Sequence, residues 1–226
     1  MIDGVLFDLD GTICNYRQPG DELLETGFRR VGVEPLFSMG DYLGVFDEHA
    51  PPGQPIDVQR EACFAALAEE RGADPEVGRS VARVYAQERD HSEVDPLPGA
   101  LEALESLAGS HRIGMVTNGP PGMQGTKLEA LGLTDAFETI VHAGHDTAPK
   151  PASEPFHRAL SALSVEPDRA VHVGNSLSAD VAGAKSAGLR AAWLPEAPDA
   201  DPGDHAPDYV LGSLSELADP PWSREA

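Results

Sequence analysis

Near its start the chain runs Val5-Leu6-Phe7-Asp8-Leu9-Asp10-Gly11-Thr12, an apolar, strand-forming stretch that ends in two carboxylates and breaks at a glycine. This order predicts a buried β-strand with chemistry at its end. In an open parallel sheet, ligands bind outside the carboxyl ends of the strands, so Asp8 projects from a rigid strand into the mouth of a site. Asp10 lies on the same side by the strand period of two, one step further out where the chain turns. Gly11 permits the turn and a close backbone approach, and Thr12 offers a hydroxyl and an N–H to an anion. Paired acids followed by anion-binding groups point to a metal and a phosphate.

After this strand the alternation of strands and helices stops until about Asp95. Leu23, Leu24, Phe28 and Val31 recur at helical spacing and predict a helix over residues 21–31 that closes on Gly32. Residues 36–53 are rich in Gly, Pro and Asp and read as a loop with one helical turn around Tyr42 to Phe46. Helices are expected over 56–70 and 75–90, the latter with Asp74 as N-cap and Pro75 as first helical residue. The reading is therefore of a helical bundle at residues 15–95, inserted into an α/β core made of residues 1–14 and 96–226.

From Pro98 onward the pattern is regular. Helices are expected over 98–107, 124–131, 154–163 and 178–187, and strands over 112–117, 139–143, 170–174 and 190–194. A Pro- and Asp-rich loop over 195–207 then leads to a short strand at 209–211 and a last helical turn at 213–217. Strands separated by helices of this length predict a doubly wound parallel sheet.

Three later strand ends repeat the logic of the first. Met115-Val116-Thr117-Asn118-Gly119 finishes in a hydroxyl and an amide able to donate to phosphate oxygens without adding charge. Lys150 stands between Pro149 and Pro151, which restrict its backbone. The strand His172-Val173-Gly174 is followed by Asn175, with Ser176 or Ser178 placed to cap the helix that holds Asp180. Lysine is scarce: Lys127, Lys150 and Lys185 are the only ones among 226 residues. Lys127 and Lys185 fall on expected helices, where they read as solvated charges, so Lys150 carries the chemical interest.

In this order the four segments resemble the motifs of the haloacid dehalogenase superfamily, most of whose members are Mg²⁺-dependent phosphatases. The resemblance implies a Rossmann-like core with a helical cap after the first strand. It also implies hydrolysis of a small-molecule phosphate monoester through an aspartyl phosphate on Asp8. Asp10 would be the acid and base, while Thr117, Asn118 and Lys150 would hold the transferring oxygens. Mg²⁺ would sit on Asp8, the backbone carbonyl of Asp10, and Asn175 or Asp180. The sequence departs from the pattern at Asn175, where an acid is usual, which predicts weak metal affinity. A dehalogenase-type hydrolase and a catalytically weakened binding or regulatory protein of the same fold are the alternatives. The second acid, Asp10, argues against the dehalogenase.

Composition bounds the partners. Thirty-eight acids against 16 bases give a formal charge of −22, which repels nucleic acid phosphates and anionic membranes. Neither is expected as a partner. An acidic, lysine-poor surface fits a protein from a salt-rich, halophilic cytoplasm, where salt screens self-repulsion. The absence of a long apolar run or a basic leader predicts a cytoplasmic location. Cys14 and Cys63 read as buried thiols, and His142, His145 and His172 as packing or solvent-facing residues rather than ligands. The sequence contains nothing that fixes the oligomeric state.

Overall fold

The structure, a computed structural model, describes residues 1–51 and 54–225. The chain divides into two compact units, Met1–Asn15 with Val94–Ala226, and Tyr16–Glu93.

The first unit is built on a six-stranded sheet. Its strands are β1 (Gly4–Phe7), β4 (Arg112–Asn118), β5 (Thr139–Ala143), β6 (Ala170–Gly174), β7 (Arg190–Trp193) and β8 (Tyr209–Val210), in the order β5-β4-β1-β6-β7-β8. Every pairing is parallel. Phe7 of β1 stands opposite Met115 of β4 on one side and Val173 of β6 on the other. The strand order reverses at β1, so β1 lies at the switch point, where the ends of three strands open a crevice. All four residues of β1 are buried, as a strand covered on both faces requires. Leu6, Val116, Phe156, Leu160, Ala184 and Trp193 form the core between the sheet and the helices on one face.

Helices α5 (Ala100–Ala108), α6 (Pro121–Leu131), α7 (Glu154–Leu163) and α8 (Ala182–Ser186) connect the strands. Helix α6 starts three residues before its expected first turn, with Pro121 near its N-terminus, where a missing N–H costs nothing. The last expected helix differs more. Its first turn, Leu177–Val181, is a π-helix, and only Ala182–Ser186 is α-helical. Ser176 caps it by accepting the N–H of Ala179 at 3.1 Å.

The second unit holds α1 (Gly20–Val31), α2 (Met39–His49), α3 (Ile56–Glu70) and α4 (Pro75–Glu88). The chain leaves the first unit within β2 (Cys14–Tyr16) and returns at β3 (Val94–Pro96), two short strands that pair as a ribbon and are too brief to show a period in sequence. Helix α2 corrects the expectation of a loop over 36–53, whose last two residues, Pro52 and Gly53, lie outside the described residues. Its start is secured by a capping box. Ser38 Oγ accepts the N–H of Asp41 at 3.1 Å, and Asp41 Oδ2 accepts that of Ser38 at 2.8 Å. Tyr42 then meets Phe64 edge-on at 5.2 Å, burial enough to outweigh Gly40 and Gly44 within the helix.

Helices α3 and α4 touch at Gly78, where an added Cβ would lie 2.1 Å from the carbonyl oxygen of Phe64. Gly78→Ala is therefore expected to destabilise the protein. The helix-propensity gain of alanine is about 1 kcal/mol, whereas forcing the helices apart costs about 1–3 kcal/mol and the contact is severe. A melting temperature lower by about 3–6 °C is expected. A variant that melts at or above the parent would show that the helices yield there at no cost.

Candidate active site

Asp8 follows β1 directly, and its N–H donates to the carbonyl of Val173 at 2.9 Å, which ties it to β6. The next turn needs glycine. Gly11 has φ +77°, and a Cβ there would lie 2.3 Å from Asn175 Nδ2.

Lys150 is the centre of the site. Its ammonium has three N–H donors and the structure gives each an acceptor: Asp8 Oδ1 at 2.7 Å, Asp180 Oδ1 at 2.6 Å and the Val116 carbonyl at 2.8 Å. All three side chains are buried, Lys150 to 2 % exposure, Asp8 to 9 % and Asp180 to 2 %. Asp180 Oδ1 also meets His172 Nε2 at 3.0 Å, and Oδ2 accepts the N–H of Ser176 at 2.9 Å. A neighbouring carboxylate selects the Nε2–H tautomer of the imidazole. His172, expected as a core residue, is fully buried and also serves the site through Asp180.

The charges divide unequally. Burial pushes the Asp8 carboxyl up to about 7 against the pull of Lys150, and the charge of Asp180 adds to the rise. Burial alone would lift Asp180 as well, but Lys150 and His172 outweigh it and hold that carboxyl well below its ordinary range. Burial works against the Lys150 ammonium too, yet Asp180 and Asp8 together keep it above its usual value.

Asn118, expected to hold a phosphoryl oxygen, has both ends of its side-chain amide on the backbone of Lys150. Its Oδ1 accepts the N–H of Lys150 at 2.9 Å and its Nδ2 donates to the Lys150 carbonyl at 3.2 Å, so the amide braces the lysine's backbone. Thr117 is buried and its Oγ1 accepts Gln124 Nε2 at 2.8 Å. Asn175 donates through Nδ2 to Glu196 Oε1 at 3.2 Å, which orients its Oδ1 as an acceptor; Thr12 Oγ1 lies 3.5 Å from that oxygen. A recess of about 580 Å³ opens beside this turn, lined by Gly11, Asn15, Leu97, Leu194, Glu196 and Ser213 among others.

The largest correction concerns Lys127. It is 1 % exposed rather than solvated, and its Nζ lies 2.6 Å from Asp10 Oδ1. Gln124, one turn earlier on α6, donates to Asp10 Oδ2 at 3.0 Å. Sequence periodicity placed both residues on a helix but gave no sign that this face meets a strand end. Lys185 does match its expected surface role and donates to the carbonyl of Ala206 at 2.6 Å. Near the end of β5, Asp146 binds the His142 N–H at 3.0 Å and His145 Nδ1 at 3.1 Å, and among the described residues no cluster of three His, Cys, Asp or Glu side chains could hold a metal.

Buried carboxylates, a bridging lysine and hydroxyl groups are thus gathered at the ends of the central strands of a doubly wound sheet, the place where α/β enzymes bind their ligands. The chain belongs to the haloacid dehalogenase-like hydrolases, whose family pattern matches residues 2–188. It is 34% identical to a phosphoserine phosphatase of Thermus thermophilus, over 94% of this chain and 96% of that protein. Among solved structures it resembles 2-haloacid dehalogenase from Pseudomonas syringae pv. Tomato, with 30% identity, TM-score 0.65 and 100% of each chain covered. It also resembles the magnesium-bound HAD-hydrolase YfnB from Bacillus subtilis, with 26% identity, TM-score 0.74 and 96% of each chain covered. The protein is a hydrolase of the phosphoric monoester class. No helix among the described residues is long and apolar enough to cross a membrane.

Proposed function

We propose that the protein is a Mg²⁺-dependent phosphatase that hydrolyses a small-molecule phosphate monoester through an aspartyl phosphate on Asp8, with the Tyr16–Glu93 unit as its cap. The observation that carries this reading is the Lys150 ammonium held between Asp8 and Asp180 at the switch point of the sheet. A carboxylate there has a cation beside it that the transferring phosphoryl oxygens can share. Asp8 attacks phosphorus, the bond from phosphorus to the ester oxygen breaks, and that oxygen takes a proton from Asp10, which releases an alcohol. Water then attacks the aspartyl phosphate and gives its proton to Asp10. Inorganic phosphate leaves, and Asp8 and Asp10 return to their starting forms. Thr117 and Lys150 hold the phosphoryl oxygens, while Asn118 keeps Lys150 in place.

The donor set suits the cation. Asp8, the backbone carbonyl of Asp10 and the Oδ1 of Asn175 are hard oxygens, which Mg²⁺ prefers. Asp180, whose two oxygens already accept Lys150, His172 and Ser176, acts chiefly on the lysine. Bound Mg²⁺ would offset the repulsion between Asp8 and an anionic substrate. A neutral amide at position 175 contributes no charge, so Asn175→Asp is expected to lower the Mg²⁺ concentration for half-maximal activity about tenfold and leave the maximal rate nearly unchanged. An unchanged midpoint would remove residue 175 from the metal site.

The test of the function is phosphate release from a panel of phosphomonoesters at high salt, with Mg²⁺ and with chelator. Turnover of at least one ester only with the metal is expected. No release from any, or full release in chelator, would refute the reading.

A further inference from the structure

Lys127 has no part in the mechanism above, yet it is one of three lysines in the chain and its side chain is almost wholly buried. An ammonium out of water is costly unless a charge faces it. The charge it faces is Asp10, at 2.6 Å. Gln124 lies on the same face of α6 by its i, i+3 spacing and completes the arrangement, because its Nε2 contacts Asp10 Oδ2, at 3.0 Å, and Thr117 Oγ1, at 2.8 Å. Since the amide donates to Thr117 Oγ1, the hydroxyl hydrogen is left for another acceptor. Gly119 makes the room, since a Cβ there would lie 2.8 Å from Gln124 Nε2.

We infer that Lys127 and Gln124 are positioning residues for the proton transfers of Asp10. The inference rests on the phosphatase reading, in which Asp10 gives a proton to the leaving oxygen and regains one from water. When that proton leaves, the carboxylate charge develops against a cation already in place, so no rearrangement is needed at the moment of reaction. The proton taken from water in one turnover is the one given to the leaving group in the next, and Lys127 gives up none. Its role is to hold Oδ1 and to face the charge between the two halves of the reaction. Gln124 holds Oδ2 and links the acid to the hydroxyl that binds phosphate. A lysine that served packing alone would leave the dependence of rate on leaving group unchanged.

The experiment compares phenyl phosphate with 4-nitrophenyl phosphate, because protonation of the leaving group matters far more for the first. Lys127→Met keeps an unbranched side chain one atom shorter and removes its charge. Asp10, whose side chain is 40% exposed, still reaches solvent, so the variant is expected to fold. Its kcat on phenyl phosphate should fall at least about tenfold more than on 4-nitrophenyl phosphate, with KM changed less than about twofold. In an Asp10→Asn background the same change should cost less than about twofold. Gln124→Met, which also loses the contact with Thr117, should lower the same ratio and raise KM. Equal losses on both esters for Lys127→Met, or a full additive loss in the double variant, would overturn the inference while the phosphatase reading stands. Should Lys127→Met fail to fold, Gln124→Met alone decides by its ratio. An unmutated protein that hydrolyses neither ester, nor any other phosphomonoester, overturns both.

Discussion

Asp8→Asn is expected to reduce phosphate release to background, a loss of about 10⁴-fold or more, because in the proposed mechanism Asp8 attacks phosphorus and an amide cannot. The fold should survive. An amide has nearly the same shape, and its oxygen can still accept Lys150 Nζ, which keeps its contacts with Asp180 and Val116. Burial raises the Asp8 carboxyl from 3.8 to about 7, so the folded state disfavours its ionised form. The sign follows from linkage. A group raised on folding contributes stability that is complete below its unfolded value and disappears as pH rises through its folded one. In chelator, the parent should therefore lose stability between about pH 4 and pH 7 from this group, and the asparagine variant should not. Above that range Asp8→Asn is expected to melt no lower than the parent. A folded variant with substantial turnover would remove Asp8 as the nucleophile, and a large fall in melting temperature would contradict the account of its burial.

The strand ends were legible because buried parallel strands read as apolar runs, and Asp8, Thr117 and Asn175 each stand where such a run stops. Lys150 was legible from its flanking prolines and the scarcity of lysine. Lys127 was not, because a polar residue on a helix has the same pattern whether its face meets solvent or the end of a neighbouring strand. The same ambiguity hid Gln124, which is wholly buried. Asn118 was placed correctly at the strand end, but its two contacts with Lys150 join residues 32 positions apart, which no local spacing reveals. In the Tyr16–Glu93 unit, α2 was obscured by its glycines and by a capping box that uses Asp41 in place of the usual Glu or Gln. The π turn that carries Asp180 also has no periodic signature, being a single turn.

Lys150→Met is expected to damage stability and activity together, and this separates it from Asp8→Asn. The lysine serves two carboxylates that water scarcely reaches, so its removal leaves charge buried without a partner. Breaking a buried pair by deleting one member costs about 3–5 kcal/mol, more than the pair itself is worth, because the remaining charge has no solvent to return to. For a chain of this size that corresponds to a melting temperature lower by about 10 °C. Asp180 retains His172 and the Ser176 N–H, so the loss should stay below complete unfolding. On the proposed mechanism turnover should fall about 10³-fold or more, since the cation that offsets the charge on Asp8 and on the transferring oxygens is lost. Arginine should not rescue it, because three acceptors around one nitrogen suit an ammonium and not a planar fork. The coupling can be measured directly. Asp180→Asn removes the charge that Lys150→Met would strand, so the double variant should be less destabilised than the sum of the two single ones. Additive effects on melting, or a Lys150→Met variant as stable as the parent, would mean that the folded protein does not depend on the lysine bridge between Asp8 and Asp180.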